Sequence, residues 1–174
     1  MKYLYFSGFC LQNDVELFED YIELGDFNIA GFSYGAIKAF EYALKQVQNN
    51  KRVQKLQLFS PAFFQDKNKK YKRLQLMFFK KDEQEYKNNF ITNIAKPSNI
   101  NLSKYLTSGT YEQLDILLNY EWEKEDFEVL INAGVKIEVF LGSDDKIINS
   151  KNALEFFRQY SEVYFIKNVG HILR

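Results

Sequence analysis

Short apolar runs alternate along the chain with longer stretches in which apolar residues recur every three or four positions, the two periods of buried strands and amphipathic helices. Lys2 to Phe6 is aromatic and apolar and ends in Ser7-Gly8, predicting a first strand that runs into a turn. Asn13 or Asp14 then caps a predicted helix with Val15, Leu17, Phe18, Tyr21 and Ile22 on its apolar face, ending at Gly25. A strand over Phe27 to Gly31 is followed by a helix from about Tyr34 to Val47, with Ile37, Phe40, Ala43 and Leu44 on one face. Lys55 to Phe59 predicts a third strand closed by Ser60-Pro61, Val135 to Leu141 a fourth and Val163 to Ile166 a fifth, with a helix from Ser150 to Tyr160 between the last two.

Strands that alternate with helices predict an α/β fold: a parallel sheet with helices on both faces, since parallel neighbours need a long crossover, normally a helix. One stretch interrupts the alternation. Residues from roughly 62 to 132 carry helical periodicity without a strand, through Leu74, Met77 and Phe78 and again through Tyr111, Leu114, Leu117 and Leu118. With Pro97 and Gly109 as its main breakers, this insertion is too ordered for a linker. It predicts a helical cap, inserted after the third strand of a single domain spanning residues 1–174. No internal repeat or low-complexity segment occurs.

Composition narrows the classes. The 174 residues are 46% hydrophobic and 26% charged, enough apolar mass for a core and unlike a disordered chain. Lys+Arg and Asp+Glu balance at 23 each, so no global field draws the protein to nucleic acid or membrane. No run of eighteen apolar residues is present, and the apolar start soon meets Asn13, Asp14 and Glu16, so neither a membrane span nor a signal peptide is expected and a cytoplasmic location follows. One cysteine and one histidine exclude an internal disulfide and a structural zinc site, and no metal or cofactor is expected. A monomer is the default expectation.

The sharpest motif is Gly31-Phe32-Ser33-Tyr34-Gly35, a G-x-S-x-G pentapeptide at the handover from a predicted strand to a predicted helix. A nucleophilic serine on such a strained turn needs small residues two positions to either side, so that strand and helix can approach closely. Serine also needs a base, itself oriented by a carboxylate, and His171 is the one imidazole. The turn Gly142-Ser143-Asp144-Asp145-Lys146-Ile147 supplies the acid: Asp145 is preferred, because its place in the turn puts it over the sheet, and Asp144 is the alternative. The chain order Ser, Asp, His is that of α/β-hydrolases. An oxyanion hole is expected from the N–H groups of Tyr34, at a helix N-terminus, and Phe9, in the turn after the first strand. Each residue also has a plainer reading: Ser33 as a helix cap, the Asp144-Asp145 pair as a turn former, His171 as a core histidine and Cys10 as a buried structural thiol.

Together the Gly31–Ala43 stretch, Ser7-Gly8-Phe9, Leu58-Phe59-Ser60-Pro61, Lys72-Arg73-Leu74-Gln75-Leu76 and the Val135–Gly142 stretch resemble the short pimeloyl-[acyl-carrier protein] methyl ester esterases of the BioV type. The resemblance runs over nearly the whole chain and implies a minimal α/β-hydrolase fold of about five strands. It implies hydrolysis of the methyl ester of pimeloyl-acyl-carrier protein in biotin precursor synthesis, with Ser33 as nucleophile, Asp145 as acid and His171 as base. Where the general esterase pattern has His-Gly and Gly-Gly-His, this chain has Ser7-Gly8 and Val169-Gly170-His171, keeping the glycines beside the functional groups. Between Gly8 and Gly31 there is room for one helix, so a strand and a helix usual before the nucleophile strand are missing.

The cap concentrates positive charge. Lys67, Lys69, Lys70, Lys72, Arg73, Lys80, Lys81, Lys87 and Lys96 face only Asp82, Glu83 and Glu85 between residues 67 and 96. Acyl-carrier proteins are acidic, so Lys69, Lys70, Lys72 and Arg73 are expected to bind one, with Arg73 offering a bidentate fork. A solvated basic helix face is the alternative. Phe63, Phe64, Met77, Phe78 and Phe79 are candidates to line an acyl tunnel. Two rival functions stay open at this level: an esterase or thioesterase of another substrate, and a non-catalytic module that binds a carrier protein.

Overall fold

The computed structural model describes residues 4–174. Five strands, β1 (Leu4–Phe6), β2 (Asn28–Phe32), β3 (Lys55–Phe59), β4 (Lys136–Gly142) and β5 (Glu162–Ile166), form one parallel sheet in the order β1-β2-β3-β4-β5. The predicted strands are present with edges moved by a residue or so; Lys2 and Tyr3 lie outside the described residues. Among the described residues six α-helices accompany them: α1 (Tyr34–Gln48), α2 (Lys69–Lys81), α3 (Glu83–Ala95), α4 (Tyr111–Asn119), α5 (Lys124–Asn132) and α6 (Ser150–Phe157).

The two faces of the sheet differ. Ile29, Leu56, Leu58, Ile137, Val139 and Leu141 project to one face and are covered by α1, α5 and α6 through Ile37, Phe40, Phe127, Leu130, Ala153 and Phe157. The last helix of the predicted insertion, α5, therefore belongs to the sheet layer, and the cap proper is α2 to α4. The other face carries no α-helix of the β1–β2 connection: the helix expected up to Gly25 is a single 3-10 turn, Asp14–Phe18. The apolar spacing that suggested a helix is served by this turn, with Leu17 and Phe18 buried against Ala30, Phe32, Phe59 and Phe140. Phe18 stacks on Phe59 with ring centroids 4.7 Å apart.

This asymmetry follows from topology. Every connection steps the same way across the sheet, so connections on the same face share one hand and a connection on the opposite face has the other. Helical crossovers between parallel strands are right-handed in about 98% of cases, because strand twist returns the helix to the sheet only that way. That assigns the right hand to the three helical connections and the left hand to β1–β2. An irregular link is free of the helix-packing constraint behind the rule.

Where no helix covers the second face, the strands carry polar residues. Gln57 and Glu138 are cross-strand partners, as are Lys55 and Lys136. Lys55 Nζ lies 3.0 Å from Glu138 and 2.6 Å from Glu23, Lys136 Nζ lies 2.7 Å from Glu138, and Gln57 donates to Glu138 at 2.9 Å and to the Tyr21 carbonyl at 3.0 Å. Glu138 is 3% exposed, so its charge is tolerable only because these partners surround it. Burial pushes its carboxyl up, but the bonds from Lys136, Lys55 and Gln57 outweigh burial and hold it below its usual 4.5. A lowered folded value means that this stabilisation is complete above about pH 4.5 and is lost as pH falls through the lowered value. Glu138→Gln should therefore cost about 1–3 kcal/mol near neutrality and progressively less in acid. Denaturant melts of both proteins at about pH 7 and about pH 3 check this; an equal deficit at both would refute the ionic contribution.

Candidate active site

Ser33 sits between the end of β2 and the first residue of α1 with φ of 54° and ψ of −113°. A non-glycine residue held at positive φ costs about 1–3 kcal/mol and persists only where surrounding contacts over-determine it. Here its N–H donates to the Phe59 carbonyl at 2.9 Å, and its carbonyl accepts from Ala36 at 3.1 Å and Ala62 at 3.2 Å. The flanking glycines are needed for contact distance. A methyl group at Gly31 would meet the Gly35 carbonyl, and one at Gly35 would meet the carbonyls of Phe6 and Ser7. The first turn of α1 is thus pressed against the loop that leaves β1.

Ser33 Oγ is 2.9 Å from His171 Nε2, and His171 Nδ1 is 2.6 Å from Asp145 Oδ2. With the carboxylate accepting from Nδ1–H, Nε2 is left to accept the serine proton. Ser33 is 3% exposed and His171 fully buried. Asp145 is fixed from behind, its Oδ1 accepting from the N–H groups of Ile147 at 2.7 Å and Ile148 at 3.1 Å. Asp144, the alternative acid, points elsewhere: its carboxylate accepts from Ser143 Oγ at 2.8 Å, and its N–H donates to the Val169 carbonyl at 2.9 Å, tying the acid loop to the base loop. His171 is held by the ring of Phe32, centroids 5.0 Å apart, and by Ser60, whose Oγ donates to the His171 carbonyl at 2.6 Å. In the sequence Ser60 marks the end of a strand and belongs to the Leu58–Pro61 stretch, with nothing local to tie it to His171. Gly170 is required before the histidine because a side chain there would strike the Lys96 carbonyl.

Tyr34 is the first residue of α1, where the N–H has no intrahelical acceptor and the helix dipole favours negative charge. Phe9, in the loop after β1, is buried, its ring 5.4 Å from Phe90 and 6.3 Å from Phe79. Strand ends and helix starts thus bring together Ser33, His171 and Asp145, with Tyr34 directly after the serine, while the loop that carries Phe9 meets the first turn of α1 at the carbonyls of Phe6 and Ser7. The arrangement can deprotonate a serine hydroxyl as it attacks an acyl carbon and then return the proton to a leaving group. Burial pushes the Cys10 thiol up to about 12, with Lys87 pulling the other way, so that sulfur is a packing group.

A cavity of about 450 Å³ opens within the cap, walled by α2, α3 and α4 and reaching Lys146 and Ile147 directly after Asp145. Phe64 and Phe78 line it, along with Tyr71, Tyr86, Phe90 and Leu117. Of the other aromatic and Met candidates, Phe63 and Phe79 are buried in the core and Met77 is exposed. Phe90 belongs both to the cavity wall and to the contact with Phe9.

The basic residues of the cap divide. Lys69, Lys70 and Arg73 are exposed at the start of α2. Lys72 departs from the expected basic rim: α2 turns it inward, its side chain is 9% exposed, and its Nζ lies 3.9 Å from Glu121. Lys67 pairs with Asp66 and Lys87 with Glu83, so part of the cap's charge is neutralised locally.

No protein-family model matches the chain, and no curated protein matches it in sequence. Solved structures do match. BioG from Haemophilus influenzae superposes with a TM-score of 0.58 at 14% identity, over 97% of this chain and 87% of that one. A bromoperoxidase from Bacillus anthracis gives 0.65 at 13% identity over 91% and 65%, and a carboxylesterase from Bacillus subtilis gives 0.51 at 16% over 94% and 62%. The chain thus spans less than two thirds of the bromoperoxidase and the carboxylesterase. With its parallel sheet, its strand-to-helix serine and the order Ser, Asp, His, the chain has the α/β-hydrolase fold in a five-stranded form.

Proposed function

We propose that this protein is a serine carboxylester hydrolase that cleaves the methyl ester of pimeloyl-acyl-carrier protein. The single observation behind the hydrolase reading is the continuous, buried hydrogen-bonded series Ser33–His171–Asp145 beside a helix N-terminus. Ser33 attacks the ester carbonyl while His171 takes its proton; the oxyanion is held by the Tyr34 and Phe9 N–H groups. Methanol leaves with the proton from His171, and water activated by the same base releases the acid. Asp145 holds the imidazole tautomer throughout. The substrate reading rests on the resemblance over the Gly31–Ala43 and Val135–Gly142 stretches and on the likeness to BioG, a likeness that extends over most of both chains. It is supported by a cap cavity of a size for an acyl chain and by exposed Lys69, Lys70 and Arg73 for an acidic carrier.

Hydrolysis of carrier-bound pimeloyl methyl ester, assayed for methanol and for carrier thiol in the same reaction, tests the reading. Methanol without thiol is expected. Thiol release would make the protein a thioesterase, and neither product would remove the substrate. Ser33→Ala should lose at least about a thousandfold in kcat, and a serine-directed organophosphonate should label the parent protein but not the variant. Asp145→Asn should lose about 10⁴-fold in kcat, whereas Asp144→Asn should stay within about threefold if it folds normally. Equal losses would leave the acid unassigned to Asp145. Reversing Lys69, Lys70 and Arg73 together to glutamate should raise KM for the carrier-linked ester about tenfold or more and leave a small soluble ester unaffected. Equal effects on both esters would count against carrier docking on α2.

A further inference from the structure

The loop after β1 is held by a group that the sequence suggests only as a helix cap. Asp14 begins the 3-10 turn, but its carboxylate does not serve that turn. It reaches back six residues, and Oδ2 accepts the Gly8 N–H at 2.9 Å. The side chain is buried, with 0% exposure, and among the described residues its Oδ1 has no hydrogen-bond partner, nor has the hydroxyl of Tyr5. Burying a carboxylate is costly, and a solvent-facing cap would not require it. Burial raises its pKa, opposed first by the Gly8 N–H and then by the nearby Ser7 hydroxyl, its own N–H and the Tyr5 hydroxyl.

The bond acts next to a peptide that matters. The Gly8–Phe9 peptide has its carbonyl engaged by the Leu11 N–H at 3.1 Å, and Asp14 holds the N–H on the other side of Gly8. In a trans peptide the N–H points opposite to the C=O, so fixing Gly8 on both sides directs the Phe9 N–H away from the turn. That N–H donates to no acceptor among the described residues. The same loop lies against Gly35, two residues after Ser33, at the carbonyls of Phe6 and Ser7. Gly8 is also closed in on its other side, since a methyl group there would strike the ring of Phe32.

We propose that Asp14 is a positioning residue for the oxyanion hole: through the Gly8 N–H it holds the Gly8–Phe9 peptide in the orientation that presents the Phe9 N–H beside Ser33. It touches no substrate. This role rests on the serine-hydrolase reading above. What the loop needs is the acceptor rather than the charge, because a full negative charge behind the hole would oppose the developing oxyanion. Asp14→Asn, which keeps an acceptor oxygen in the same place, should therefore rescue what Asp14→Ala loses.

The test compares the parent protein, Asp14→Ala and Asp14→Asn with a soluble p-nitrophenyl ester, and with a trifluoromethyl ketone whose adduct with Ser33 places an oxyanion in the hole. Rates are expressed per folded protein by circular dichroism, and Asp14→Val, apolar and similar in volume, replaces Asp14→Ala if the latter does not fold. Asp14→Ala should lower kcat about ten- to a hundredfold with KM within about twofold, and weaken the ketone by the same factor. Asp14→Asn should stay within about threefold of the parent on both. A folded Asp14→Ala with parental kcat and ketone affinity overturns the proposal while leaving the hydrolase intact. Equal losses in Asp14→Ala and Asp14→Asn overturn it too, since the acceptor alone would then not suffice. A parent protein that neither hydrolyses the ester nor reacts with an organophosphonate removes the hydrolase reading, and the role of Asp14 falls with it.

Discussion

Close approach of backbone to backbone around Ser33 is the constraint on which the rest of the site depends. The serine can stand at positive φ, ahead of the helix and aimed at His171, only because Gly31 and Gly35 let β2, α1 and the β1 loop come to contact distance. That contact seats the β1 loop, at the carbonyls of Phe6 and Ser7, against the helix start. It also sets α1 over the sheet, where Ile37 and Phe40 close the larger core. Strain at one residue is thus balanced by packing of the elements on both sides of it.

The polar side chains are layered outward from this point. His171 is fixed through its ring nitrogens by Ser33 and Asp145 and through its backbone by Ser60; Asp145 is fixed by two backbone N–H groups; Asp144 and Ser143 join the acid loop to the base loop. The buried Ser33–His171–Asp145 series needs this outer set, because an imidazole free to rotate would lose both of its hydrogen bonds. Asp14, which accepts the Gly8 N–H, extends the same principle to the loop after β1.

The reduced size of the fold has a visible consequence on the second face of the sheet. With a 3-10 turn in place of a helix, aromatic residues close the half of that face near the site, and the Lys55–Glu138–Lys136 network occupies the half that no helix covers. A wholly apolar β3 and β4 would leave an exposed hydrophobic face there. Gln57 joins the two halves by bonding both Glu138 and the backbone of the β1–β2 link.

Features written in local pattern are legible from the residues alone. The period of apolar residues located the strands and the sheet-covering helices, and the spacing of Gly31, Ser33 and Gly35 located the strained turn, because both depend on neighbours in the chain. The choice of His171 needed only counting, since no other imidazole exists. Tertiary structure decided the rest. Asp145 rather than Asp144 meets His171 because the loop's backbone bonds turn one side chain inward and the other toward Ser143, a choice that adjacent acids do not reveal. Lys72 is turned inward while its basic neighbours face solvent, because helical phase relative to a distant residue, Glu121, is a long-range property. The helix expected after Asp14 is a short 3-10 turn, and the bond from Gly8 to the Asp14 carboxylate, six residues away, is likewise not written in a local apolar period.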